Sequence, residues 1–107
     1  MAARAEQTRV LNMPIDFVVN KMRQIGNSDL RVNLTSENPM PPNGVWFRVL
    51  HGTSFSSWGE KITVTLTALS PQSTQIHILS ECGMPTQLVD WGKNNKNVNA
   101  VFDYIVR

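Results

Sequence analysis

The sequence predicts a two-layer α+β domain, with an antiparallel sheet of about five strands in the order β-α-β-β-β-β-α. Residues 60–69 alternate apolar and polar side chains, which is typical of a half-buried strand. Residues 84–106 carry apolar side chains at intervals of three and four, the spacing of one helical stripe. Short connections favour a meander of the last four strands, with a short helix and a long C-terminal helix covering its apolar face.

Size and composition indicate one globular domain over residues 1–107, of which we expect residues 1–7 to be mobile. The chain is 41% apolar and 17% charged, which is ordinary for a soluble domain. Its ten basic residues are dispersed along the chain and the formal charge is only +2. Nucleic-acid-binding domains usually gather basic residues on one face, so we do not expect a nucleic-acid partner.

The first elements follow from turn and helix signals. Residues 8–13 are predicted to form a strand, and Pro14 then opens a helix because proline suits the first helical position. The segment Gly26-Asn27 ends this helix. Its apolar stripe consists of Ile15, Val18, Met22 and Ile25, and we expect Phe17 to lie beside the stripe and join the core.

The middle of the chain predicts four more strands. Residues 30–35 alternate in polarity, and residues 36–44 hold so many turn formers that we expect a loop. Residues 44–52 form the next strand, with Trp46 and Arg48 on its outer face. A connection over residues 53–59 leads into the strand 60–69. A hairpin turn at residues 70–73 precedes the last strand, residues 74–82.

The C-terminal helix contains two unusual positions, Asn95 within its apolar stripe and Gly92 within its length. A buried Asn needs hydrogen-bond partners, and a helical Gly often admits a second backbone. We therefore predict that the loop carrying Trp58 docks at Gly92, and that Glu60 meets Lys93 or Lys96. In that arrangement, replacing Asn95 with Leu destabilises the protein. The alternative is a helix interrupted near Gly92, with residues 93–97 as a solvated loop.

The order of elements resembles the TATA-binding-protein-like and helix-grip folds, in which a curved antiparallel sheet grips a long C-terminal helix. Residues 55–62 (FSSWGEKI) and 85–98 (PTQLVDWGKNNKNV) look like short bacterial domains of unassigned function. This resemblance implies a recurring bacterial module and carries no activity with it.

No pattern indicates catalysis, a cofactor or a metal. The sequence has no phosphate loop, no dinucleotide-binding glycine pattern and no metal-ligand cluster. Cys82 is the only cysteine, which excludes an internal disulfide and fits a reducing compartment. His51 and His77 are the only histidines, and the sequence places no acidic partner beside either. We predict no catalytic residue.

The remaining interpretation is a cytoplasmic, non-enzymatic binding or interaction module. No apolar run is long enough to span a membrane, and the first residues lack a secretory signal. Two regions could recognise a partner: the outer sheet face could hold a protein or a second copy of the chain, and the Trp58 loop with the polar part of the last helix could hold a polar or anionic group. That loop could equally be a structural clamp. The alternative function is a carrier of a lipid or small molecule between sheet and helix. The candidate binding residues are Trp46, Arg48, Trp58, Glu60, Lys93, Asn95 and Lys96.

Overall fold

A computed structural model describes residues 4–51, 59–82 and 92–107 of the chain. Its elements are β1 (Arg4–Leu11), α1 (Ile15–Arg23), a 3-10 turn (Ile25–Asn27), β2 (Val32–Met40), β3 (Gly44–His51), β4 (Glu60–Ser70), β5 (Ser73–Cys82) and α2 (Lys93–Val106). The predicted α+β class and the order of strands and helices are confirmed. Neither described helix is long and apolar enough to cross a membrane.

The strands form one antiparallel sheet in the order β1-β5-β4-β3-β2, so the last four strands are a meander and β1 pairs with β5. Alternate residues of the central strands are fully buried, as Phe47 on β3 and Val64 on β4 illustrate. Helix α2 lies against β1, β5 and β4, while α1 contacts α2 and β4. Both helices therefore cover the same inner face, as in the helix-grip-like arrangement that the order of elements predicts.

Helix α1 packs through Val18 and Met22, both fully buried, and Ile25 in the following turn is buried as well. The prediction that Phe17 joins the core is wrong, because 46% of its side chain is exposed. One residue along a helix rotates the side chain by about 100°, which turns position 17 away from the buried face. The Tyr104 hydroxyl of α2 donates to the Lys21 carbonyl oxygen at 2.6 Å and fixes the two helices together.

Strand β2 differs most from its prediction, because residues 36–40 are paired with β3 instead of forming a loop. The register shifts between Leu34 and Ser36, which marks a bulge. Pro39 is tolerated because β2 is an edge strand, where a missing amide hydrogen can face away from the sheet. Turn-forming residue types are here outweighed by pairing with β3.

Helix α2 begins at Lys93, directly after Gly92, whose φ of 82° is left-handed. The predicted helical stretch 84–91 lies outside the described residues. The prediction of a buried Asn95 is wrong: Asn95 is exposed, whereas Asn94 and Asn97 are buried. Counting back one and two turns from the buried Val101 reaches positions 97 and 94, and leaves position 95 at the edge of the stripe. The solvated-loop alternative is also wrong, since residues 93–97 are helical.

Among the residues that the structure describes, no second backbone segment packs closely against Gly92. A Cβ atom built on Gly92 would meet none of their atoms within 4 Å. Its conformation, in which a side chain is strained, explains glycine at this position. The predicted docking of the Trp58 loop falls on residues 52–58, which lie outside the described range.

Candidate functional site

Polar side chains occupy one end of the inner sheet face, where α2 begins. Glu60 opens β4 and shares the face of the buried Ile62 two residues later, while Ser80 and Cys82 end the inner row of β5. His51 ends β3 directly opposite Glu60. The inner face thus changes from apolar to polar within two residues along each strand.

These side chains form one hydrogen-bonded network with the first turns of α2. We call it the inner polar network, and it consists of His51, Glu60, Ser80, Cys82, Asn94 and Asn97. At its buried end, the Ser80 hydroxyl donates to Asn94 Oδ1 at 2.8 Å, and Asn94 Nδ2 donates to Cys82 Sγ at 3.5 Å. Both Ser80 and Asn94 are fully buried, so these bonds supply partners that water cannot.

Glu60 is the centre of the other end of the network. Its Oε1 atom lies 3.1 Å from His51 Nδ1 and accepts a hydrogen bond of 3.1 Å from Asn97 Nδ2. The Asn97 amide also donates to Ser80 Oγ at 3.2 Å and joins the two ends. Only 7% of Glu60 is exposed, whereas about a third of the His51 side chain is open to solvent. When Glu60 is ionised its carboxylate can only accept, and Nδ1 of His51 is then the donor of this hydrogen bond.

A cleft of about 390 Å³ opens beside Glu60, between α2 and the β2 side of the sheet. We call it the α2 cleft, and the described residues that line it are Asp29, Leu30, His51, Glu60, Lys93, Lys96, Asn97 and Ala100. A smaller space of about 30 Å³ adjoins it, shares four of these residues and is otherwise lined by Val32, Ile62 and Val101. The cleft therefore has a charged rim, a hydrogen-bonding wall and an apolar inner end.

Some of the charged side chains around the α2 cleft interact with other charged or polar residues of the protein, and others do not. Asp29 pairs with Arg107 at 3.0 Å, and the Arg107 guanidinium holds the pKa of this carboxyl below its usual value. Glu60 is engaged as described above. Lys93 and Lys96 are exposed and form no ion pair within the part of the chain that the structure describes. The uncommitted charges at the rim are thus both positive.

The structure groups some of the predicted binding residues and separates others. Glu60, Lys93 and Lys96 line the same cleft, although Glu60 bonds His51 and Asn97 instead of either lysine. Asn95, predicted to bond loop carbonyls from a buried position, is exposed, and that assignment is corrected above.

Trp46 and Arg48 lie on the opposite face of the sheet, with the Arg48 guanidinium carbon 5.6 Å from the Trp46 ring centroid. Trp58 lies outside the described residues. The outer face and the α2 cleft are therefore separate regions of the molecule.

Sequence reasoning missed His51 and Asn97, and a signal for each was present. The alternation of β4, extended back from Ile62, places Glu60 on the inner face. Pairing with the preceding strand, β3, places His51 opposite Glu60. A buried carboxylate then requires donors, which only polar residues at the helix start could supply. Counting back from Val101 identifies Asn97 as the donor facing the sheet.

A second cleft of about 500 Å³ lies between α1 and the end of the sheet where β3 begins. Arg23 Nε and Nη2 donate to the two carboxylate oxygens of Glu37 at 2.9 and 2.8 Å across it. This pair lowers the pKa of Glu37 and leaves neither charge uncommitted. Among the described residues, the other charged residue that lines it, Asp16, is acidic, so the α2 cleft is the better candidate for an anionic ligand.

The described residues contain no group of three or more His, Cys, Asp or Glu side chains that could hold a metal ion. No family model matches the chain, and no curated protein is detectably similar to it. Solved structures that resemble it include the Zhui aromatase/cyclase from Streptomyces sp. R1128. That protein shares 12% identity at a TM-score of 0.43, and the alignment covers 100% of this chain and 95% of that chain. Both values are too low to assign an activity.

Proposed function

We propose that the protein binds a small organic anion with an apolar body in the α2 cleft. The observation that supports this proposal is the pair of uncommitted lysines, Lys93 and Lys96, at the rim of a cleft whose inner end is apolar. A volume of about 390 Å³ lies within the range of about 300–1,000 Å³ that is usual for small-molecule sites.

The lining of the cleft matches the two parts of such a ligand. The ammonium groups of Lys93 and Lys96 attract a carboxylate or sulfonate at the mouth, where each contributes about 0.7 kcal/mol near the surface. Leu30 and Ala100 offer apolar contact to the body of the ligand. The Asn97 amide donates hydrogen bonds to Glu60 and Ser80. These two bonds fix its position in the wall of the cleft, so it does not move when the ligand binds.

The test has two arms. Native mass spectrometry of protein purified from cells under mild conditions should reveal a bound small molecule, and protein free of any carried mass would count against a carrier. In the second arm, a fluorescent naphthalene sulfonate dye serves as the anionic probe. Dye affinity should fall about tenfold when Lys93 and Lys96 are both replaced with Ala, because about 1.4 kcal/mol is lost.

The matched control is the double replacement of Lys21 and Lys61 with Ala. It removes the same net charge from positions that do not line the α2 cleft. Binding at the cleft is supported if this control retains its affinity for the dye. The affinity should also depend steeply on salt concentration in every protein except the Lys93/Lys96 variant. Equal losses in the two double variants would mean that net charge, not the cleft, holds the dye.

We also propose, as a separate function, a protein contact on the outer sheet face. Arg48 Nε is buried and has no hydrogen-bond partner in the described part of the chain, although it lies beside Trp46. A second copy or another protein that draws the Arg48 side chain outward would give this donor a partner. Light scattering on a sizing column tests self-association, and a strict monomer at high concentration would remove it.

A further inference from the structure

The His51–Glu60 pair gives the α2 cleft a chemical property beyond binding. We propose that His51 accepts a proton from an acidic hydroxyl, phenolic or enolic, of the molecule bound there. This inference rests on the proposed function, since it needs a ligand in the cleft. It narrows the ligand to an anion that also carries an acidic O–H group.

The two nitrogens of His51 have different roles. Nδ1 is engaged by Glu60 at 3.1 Å, whereas Nε2 makes no hydrogen bond to the residues that the structure describes. His51 is among the residues that line the α2 cleft. With the hydrogen on Nδ1, the neutral ring carries its lone pair on Nε2, so the residue brings a base to a ligand-sized space.

Glu60 is a positioning residue for this base. Its carboxylate is buried and is itself held by Asn97, which is held in turn by Ser80. A carboxylate beside Nδ1 fixes the ring orientation and tautomer, and stabilises the imidazolium that forms when Nε2 takes a proton. The network thus prepares His51 for proton transfer before any ligand arrives.

The proton balance is complete without a further reactant. The O–H bond of the ligand breaks, its electron pair stays on oxygen, and an N–H bond forms at Nε2. The resulting oxyanion lies in the cleft that Lys93 and Lys96 also line. Among the described residues, the other charged groups that line this space are Glu60, which is engaged by His51 and Asn97, and Asp29, whose charge is paired with Arg107. Return of the proton to oxygen or to a conjugated carbon regenerates the neutral ring.

The protein contains an internal comparison for this pair. On the outer sheet face, His77 Nε2 lies 3.0 Å from Glu6 Oε2, so a second histidine also meets a carboxylate. The side chain of Glu6 is 47% exposed, and His77 lines none of the clefts described above. Each face of the sheet therefore has a histidine–glutamate contact. Of the two histidines, only His51 also lines one of the clefts described above.

The experiment uses 4-hydroxy-3-nitrophenylacetate, which carries a carboxylate and a phenol whose absorbance reports its ionisation. Saturating protein should lower the pH midpoint of phenol ionisation by about one unit, a tenfold change, because the imidazolium formed at His51 lies beside the phenolate and favours it. Replacing His51 with Gln keeps a donor toward Glu60 but removes the base, so most of the shift should disappear while the probe still binds. Replacing His77 with Gln should leave the shift unchanged.

Binding is measured separately with the methoxy analogue of the probe, which cannot ionise. If neither compound binds, the proposed function and the proton transfer both fail. If both compounds bind but the midpoint does not move, or moves equally in the His51→Gln protein, only the proton transfer is overturned. Thermal melts of each variant show whether a lost shift reflects lost folding.

Discussion

Replacing Asn97 with Leu tests the inner polar network directly. The side chain is 8% exposed, and its amide donates to Glu60 at 3.1 Å and to Ser80 at 3.2 Å. Leu has the same branching and the same number of side-chain heavy atoms but no donor. The change therefore removes two hydrogen bonds without opening a large cavity, and leaves Glu60 with His51 as its remaining described partner.

The expected cost follows from the two bonds. A hydrogen bond to a charged group contributes about 1.5–3 kcal/mol and a neutral one about 1 kcal/mol. Burial of the new apolar side chain offsets part of this loss, so we expect about 3 kcal/mol of destabilisation. For a domain of this size the melting temperature should fall by about 12 °C or more.

Urea unfolding measures the loss, with the free energy extrapolated to zero denaturant. Asn95→Leu is the matched control: it makes the same exchange two residues earlier, at an exposed position, and should change the free energy of unfolding by no more than about 0.5 kcal/mol. Equal effects at the two positions, or a stabilised Asn97→Leu protein, would refute the buried network.

Three further predictions concern other parts of the chain. Gly92→Ala should cost about 1 kcal/mol in urea unfolding because φ is 82°, whereas Gly26→Ala, where a new Cβ has only one ordinary contact, should stay within about 0.5 kcal/mol. Gly44→Ala should cost about 1–3 kcal/mol, since its Cβ would lie 2.9 Å from a carbonyl oxygen of β4; a neutral result would show that the strand can shift freely. Arg23→Ala should raise the pKa of Glu37 toward its ordinary value, which an NMR titration of that carboxyl detects. Because the folded-state pKa is lowered, the pair stabilises the protein above the unfolded pKa and stops doing so as pH falls through the folded pKa. An unchanged titration would mean that Arg23 does not contact Glu37 in solution.

The fold could be predicted from the sequence wherever a single hydrophobic periodicity dominated a segment. Strand β4 alternates from Ile62 to Leu66 without interruption, and its predicted start and face agree with the structure. Strand β2 was predicted too short because residues such as Pro39 favour turns locally. Its pairing with β3 is a non-local interaction that no property of residues 36–40 alone reports.

The candidate site was accessible only in part. Lys93, Lys96 and Glu60 were identified as a group because a Trp58 loop docked at Gly92 would bring Glu60 to the two lysines. The error at Asn95 arose because the predicted helix extends back through Gly92 to residue 84, so its stripe was positioned partly with residues that lie outside the described range. Anchoring on the buried Val101 gives Asn97 instead. The volume of the cleft depends on how α2 sits on the sheet, which hydrophobic periodicity does not determine.

Chemical-shift mapping of the amide resonances with the anionic probe tests binding at the α2 cleft most directly. Titration should move the resonances of Leu30, His51, Lys96 and Ala100 together with one dissociation constant, and leave those of Arg23 and Glu37 in the second cleft unchanged. Shifts centred on the second cleft, or scattered over the outer sheet face, would contradict the assignment of the α2 cleft as the binding site.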